Sequence, residues 1–154
     1  MNLYERQQES YRVAGGALRS AWPPEQAMDA SALASFVDEM RSRVLATVTA
    51  GGRPQARPVA FMVFADAIRV RTGAGGRLSN VRRAPSVSVV ISDRDGDRHR
   101  AVVADGAVLI SELTPDGFLG LWAQRFGSRP EWATHWLKLR PDRLFPYAAP
   151  GSGA

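Results

Sequence analysis

The sequence predicts a mainly β domain of the α+β class: six antiparallel strands forming a small barrel, with a few short helices. Two observations carry this reading. The apolar period changes from helical to two near Val44, and the first strands are joined by turns too short for the crossovers that parallel strands need. Hairpin-joined strands, interrupted by one small helix and followed by another, suit an antiparallel barrel better than a doubly wound sheet. A chain of 154 residues is long enough for one such core.

Tyr4, Tyr11 and Leu18 recur at seven-residue spacing around the break at Gly15-Gly16, and Pro23-Pro24 follows. Residues 1–30 therefore read as an N-terminal helical extension and linker, and a lid or strap over a partner subunit is its expected role. Residues 31–149 form the domain. Asp29 or Ser31 can cap a helix whose apolar residues Leu33, Phe36, Val37 and Met40 share one face; it should end near Arg41. Val44 to Thr49 is the first strand, and Gly51-Gly52 turns it into Gln55 to Phe64. In that second strand Val59, Phe61 and Val63 alternate with Ala60, Met62 and Phe64. Apolar on both faces, it is expected at the centre of the sheet.

Asp66-Ala67 leads into a third strand, Ile68 to Thr72, with Arg69 and Arg71 on one face. Gly73-Ala74-Gly75-Gly76 precedes a short helix, Arg77 to Arg83, stopped by Pro85. Val87 to Ser92 is the fourth strand, Asp95-Gly96 a hairpin turn, and Arg100 to Leu113 a fifth strand bending at Gly106. Pro115 should open a helix through Leu119, Trp122 and Phe126. Trp132 to Leu139 carries the chain to a closing strand, Leu144 to Tyr147, and residues 150–154 form a flexible tail.

Composition narrows the function classes. The absence of cysteine excludes disulfides, thiolate metal sites and cysteine nucleophiles. No apolar run approaches the roughly 20 residues of a membrane span, and Asn2 to Ser10 lacks the apolar stretch of a signal peptide. The expectation is a cytoplasmic protein with no membrane partner. The net charge of +5 is concentrated in one block: residues 41–83 carry nine arginines against Asp66 alone. A bound anion fits that block. Nucleic acid fits it less well, because the arginines fall on several strands around a loop rather than along one groove-sized helix.

The strongest constellation lies inside the block. A strand ends at Arg71-Thr72, glycines free the backbone to approach a ligand, and Arg77 stands in the first turn of a helix whose N–H groups point outward. A flexible loop beside a solvated arginine face is the plainer reading; the coincidence of strand, loop, helix and charge favours an anion site. Asp93-Arg94-Asp95-Gly96-Asp97 lacks calcium-loop spacing, since the glycine is displaced and Ala104 stands at the closing position. Trp122, Trp132 and Trp136 read mainly as core, with at most one facing a ligand. His99 and His135 are the candidate acid–base groups, and neither is assigned. No metal site, nucleophile elbow or Walker motif is present.

Several of these residues also carry a family likeness. Val44-Leu45-Ala46-Thr47-Val48, Gly52-Arg53-Pro54, Arg57-Pro58-Val59, Thr72-Gly73, then Arg77, Asn80 and Arg82-Arg83-Ala84-Pro85 occur in an order and spacing that resembles the pyridoxamine 5'-phosphate oxidase-like flavin-binding split-barrel family. The resemblance covers roughly residues 33–147. It implies a split-barrel homodimer with a cofactor at each of two sites along the interface. Carried onto this chain, Arg57, Pro58, Val59, Ala60 and Phe61 would lie along the isoalloxazine ring, partly through backbone groups. Arg71, Thr72 and Arg77 would take the ribityl chain and phosphate. Asn80 would fix the loop, and Asp105-Gly106 would form a structural bend. Met62 stands where the vitamin B6 oxidases have a lysine, Arg77 replaces a lysine common among relatives, and the loop is one residue shorter.

The resemblance implies an oxidoreductase using FMN, or the phosphate-bearing deazaflavin coenzyme F-420, on a small organic molecule. A non-catalytic module holding flavin, haem or another planar ligand is the alternative. Another copy of the chain is the expected partner: a barrel this size covers only one face of a strand that is apolar on both.

Overall fold

Asn2 begins the fold with a reciprocal cap: its side chain accepts from the Glu5 N–H at 2.9 Å, and the Glu5 carboxylate accepts from the Asn2 N–H at 2.9 Å. This launches α1 (Leu3–Val13), followed by α2 (Gly16–Ala21) and a 3-10 turn, Pro24–Gln26. Asp29 is the cap of α3 (Ala30–Glu39), its carboxylate accepting from the Ala32 N–H at 2.8 Å. Leu33, Phe36 and Val37 are buried as the helical period requires. This computed structural model describes residues 1–39, 43–95 and 98–148, with backbone alone at 94, 95 and 98. The expected helix end at Met40-Arg41, the tip of the Asp95-Gly96 turn and the tail lie outside the described residues.

The strands are β1 (Arg43–Val48), β2 (Pro54–Pro58), β3 (Phe61–Phe64), β4 (Ala67–Thr72), β5 (Ser86–Asp95), β6 (Arg98–Ser111), β7 (His135–Leu139) and β8 (Arg143–Ala148). Helix α4 (Gly76–Arg83) follows β4, and α5 (Phe118–Phe126) follows β6. All pairings are antiparallel in the order β2-β1-β5-β6-β7-β4-β3, with β8 also on β6. The sheet is the antiparallel, helix-decorated one expected, and it is not closed among the described residues.

Among the described residues eight strands replace the six expected, for two reasons. Residues 135–139, unassigned from sequence, pair with both β4 and β6. The expected second strand is two, and neither is central: β2 and β3 terminate opposite ends of the strand order. Pro54 and Pro58 have no N–H to give a second neighbour, which confines β2 to an edge. The apolar alternation that suggested a central strand belongs to β3, where Phe61 and Met62 are buried while Val63 is exposed. The last helix also starts three residues later than Pro115, after a turn closed by the Phe118 N–H donating to the Pro115 carbonyl at 3.2 Å.

Gly106 marks where β6 changes partners. Residues 100–105 pair with β8 and residues 108–111 with β7, while the connection between those strands crosses beside the glycine. A Cβ there would meet the Asp142 nitrogen at 3.0 Å and the Arg140 oxygen at 3.1 Å. Close backbone approach therefore sets the bend. Helix α1 lies on β8 of its own chain: the Leu144 N–H donates to Ser10 Oγ at 2.8 Å, and Tyr11 donates to the Pro146 carbonyl at 3.1 Å.

Two apolar clusters result. The larger includes Phe36, Leu45, Phe61, Val89, Leu137 and Leu144. The smaller joins Met62, Phe118, Trp122 and Trp136, and it lies on the face of β4 that carries Arg69 and Arg71. Among the described residues no helix is long and apolar enough to cross a membrane.

Candidate anion-binding site

The β4 register sets Arg71 and Thr72 against β7, their side chains on opposite faces. Arg71 pairs with Trp136 and Thr72 with His135 across β7. Thr72 is buried, its hydroxyl donating to the Gly73 carbonyl at 3.2 Å. Beyond it, Gly75 adopts φ +146°, a backbone setting suited to glycine, and no side chain caps α4. The first N–H groups of α4 thus remain open to a ligand. Arg77, in the first turn of α4, reaches back and donates to the Arg71 carbonyl at 3.4 Å.

Both arginines are half-buried, and desolvation lowers their pKa values. Neither forms an ion pair among the described residues. Arg77 stands at the uncapped start of α4 and Arg71 near the end of β4, two desolvated cations whose charge an anion would relieve. Asn80 supports this arrangement from behind: its amide donates to Thr47 Oγ1 at 3.0 Å and to Gln55 Oε1 at 3.2 Å, tying α4 to β1 and β2. A depression of about 580 Å³ beside the loop is lined by Ala74, Gly75, Leu78, Ser79, Arg82 and Arg83.

The other candidates are arranged differently. Arg57 and Pro58 are exposed on β2, and the Arg57 guanidinium donates to the carbonyl of its neighbour Ala56 at 3.3 Å. Val59 and Ala60 form the break between β2 and β3, where the Val59 N–H donates to the Arg43 carbonyl at 2.9 Å. Phe61 is fully buried, so its side chain belongs to the core. Its carbonyl is also occupied, accepting from Arg43 at 2.8 Å.

His99 is exposed beside Tyr147, with ring centres 5.6 Å apart. His135 is nearer the cluster: its Nε2 lies 3.2 Å from both Glu112 Oε1 and Arg82 Nη2, and its Nδ1 is 2.7 Å from Thr134 Oγ1. Trp122 and Trp136 are core residues, whereas Trp132 is exposed. Sequence reasoning did not detect that the Arg71 guanidinium lies over both Trp122 and Trp132. No local spacing connects residues more than fifty positions apart.

Residues 30–146 match the family described as pyridoxamine 5'-phosphate oxidase. No curated protein gives a significant match. Among solved structures, a conserved hypothetical protein of Mycobacterium tuberculosis aligns with a TM-score of 0.71 at 21% identity, covering 86% of this chain and 96% of that one. An FAD-binding protein of Mesorhizobium loti aligns at 0.59 and 19% identity, covering 81% and 98% respectively. A haem storage protein of Vibrio cholerae aligns at 0.61 and 18% identity, covering 77% and 94%. At these identities the structural likeness is one of fold.

Proposed function

This chain belongs to the pyridoxamine 5'-phosphate oxidase family, and from that premise we propose that it is a flavin- or deazaflavin-dependent oxidoreductase acting on a small organic molecule. The observation carrying the proposal is the pair Arg71 and Arg77, desolvated and, among the described residues, without carboxylate partners, with Arg77 at the uncapped start of α4. Their chemistry fits the phosphate of FMN or of coenzyme F-420. Arg71, Thr72, Arg77 and the first N–H groups of α4 hold that phosphate. The exposed Arg57-Pro58 edge and the Val59-Ala60 break lie along the ring, while Phe61 supports that break from the core.

A bound flavin supplies hydride or electron transfer through its central ring nitrogen, and F-420 supplies hydride transfer through the corresponding carbon. The protein captures the phosphate and orients the cofactor. FMN is the preferred reading; F-420 has the same phosphate handle with a longer anionic tail. A second copy of the chain completes the site, covering exposed apolar side chains such as Val63 on β3 and Leu109 on β6. The fold shared with a haem storage protein supports a second reading, a non-catalytic module for flavin, haem or another planar ligand.

A visible spectrum of the protein as isolated, then titration of cofactor-free protein with FMN, F-420 and haem, separates these readings. Saturable FMN or F-420 binding with turnover of an electron donor or acceptor supports the oxidoreductase. Binding without turnover under several donors and acceptors supports the module, and haem binding alone removes the flavin assignment. A monomer both free and ligand-bound at micromolar concentration overturns the shared-site arrangement.

A further inference from the structure

The Arg71 guanidinium lies over two indoles. Its central carbon is 5.3 Å from the Trp122 ring centre and 4.8 Å from that of Trp132. Trp122 is fully buried, but Trp132 is 56% exposed, an unusual place for so large an apolar surface. The loop carrying Trp132 is tied down locally. The Ala133 N–H donates to the Pro130 carbonyl at 2.9 Å, and the Thr134 N–H donates to the Thr72 carbonyl at 3.2 Å. Gly73 lies against it so closely that a Cβ would meet the Trp132 carbonyl at 3.3 Å and its ring at 3.5 Å.

A carboxylate could orient Arg71 only by neutralising the charge and occupying its donors. Aromatic rings hold the planar cation by its faces and leave the N–H groups at its edge available. We infer that Trp132 is a positioning residue, which with Trp122 clamps the Arg71 guanidinium so that its N–H edge meets the cofactor phosphate. This rests on the phosphate-bearing cofactor proposed above. The exposed ring also shields the guanidinium from water, strengthening its charge-assisted bond to an anion.

Riboflavin has the ring and ribityl chain of FMN without the phosphate, so comparing the two isolates the clamp. Trp132→Ala and Trp132→Leu should each weaken FMN binding about tenfold while changing riboflavin binding less than about twofold. Trp132→Phe, which retains a ring face, should stay within about threefold of wild type for FMN. In an Arg71→Gln background, Trp132→Ala should produce no further loss, because the tryptophan acts through that arginine. Thermal melts of all variants identify any general loss of folding; where Trp132→Ala melts early, the Leu and Phe variants decide.

Unchanged FMN affinity in the Ala and Leu variants overturns the clamp while leaving the flavin reading intact. Equal weakening of FMN and riboflavin also overturns it and assigns Trp132 to the ring. If wild-type protein binds FMN no better than riboflavin, the phosphate site itself fails, and the clamp with it.

Discussion

The guanidinium of Arg43 donates to the carbonyl of Phe61 at 2.8 Å and lies 4.4 Å above the centre of the same residue's ring. It also donates to the carbonyls of Val37 at 3.3 Å and Asp38 at 3.2 Å, near the end of α3. One buried cation thus joins a helix end to the start of β3. Desolvation lowers its pKa to about 10, so it remains charged at neutral pH. Three carbonyl acceptors and the ring face compensate for removing that charge from water.

Replacing Arg43 with Met retains much of the apolar bulk and removes these donors. The expected loss is about 2–4 kcal/mol in urea unfolding, from stranded carbonyls and a lost cation–π contact. A loss below about 1 kcal/mol would mean that water replaces the guanidinium without difficulty.

Arg77→Ala tests the cofactor handle. Loss of one charge-assisted phosphate contact should weaken FMN binding by about 1.5–3 kcal/mol, measured by calorimetry, with little change in riboflavin binding. Unchanged FMN affinity would put the phosphate elsewhere.

Gly106→Ala places a methyl group against the β7–β8 connection, 3.0 Å from the Asp142 nitrogen and 3.1 Å from the Arg140 oxygen. Both neighbours are backbone atoms, so relief requires moving the crossing segment rather than rotating a side chain. Thermal unfolding should report a destabilisation of about 1–3 kcal/mol. A neutral result would show that the connection yields freely.

Tyr11 provides a pH test of α1 docking. Its hydroxyl donates to the Pro146 carbonyl, and burial raises its pKa above the ordinary 10.0. The unfolded chain therefore loses this proton first. The tyrosine's contribution is complete below pH 10.0 and is lost as pH rises through the higher folded value. Tyr11→Phe should lower stability near pH 8 by about 1 kcal/mol. It should also reduce the decline in stability above pH 10 relative to wild type. Parallel pH profiles for the two proteins would show that the docked hydroxyl contributes no linkage.

Much of this protein is legible from short-range patterns. Asp29 capping α3, the glycines before α4, the period-two strands and the Arg71-Thr72-Arg77 grouping each depend on residues within a few positions of one another. Local backbone preference and alternation suffice to identify them. Asn80, expected to fix the loop, instead ties α4 to the first two strands through Thr47 and Gln55.

Residues 55–64 show where such patterns stop being decisive. Their alternation is genuine, but Pro54 and Pro58 limit backbone pairing, and Phe61 is buried in the core, where the distant Arg43 donates to its carbonyl. The clamp on Arg71 similarly joins β4 to α5 and to the loop before β7. The sequence by itself determined the antiparallel class and the concentration of positive charge around a glycine loop, because periodicity and charge are local properties. Only the tertiary structure decided which side chains flank each arginine and which strands became edges. Those outcomes depend on long-range pairing and desolvation, which arise when distant segments are brought together.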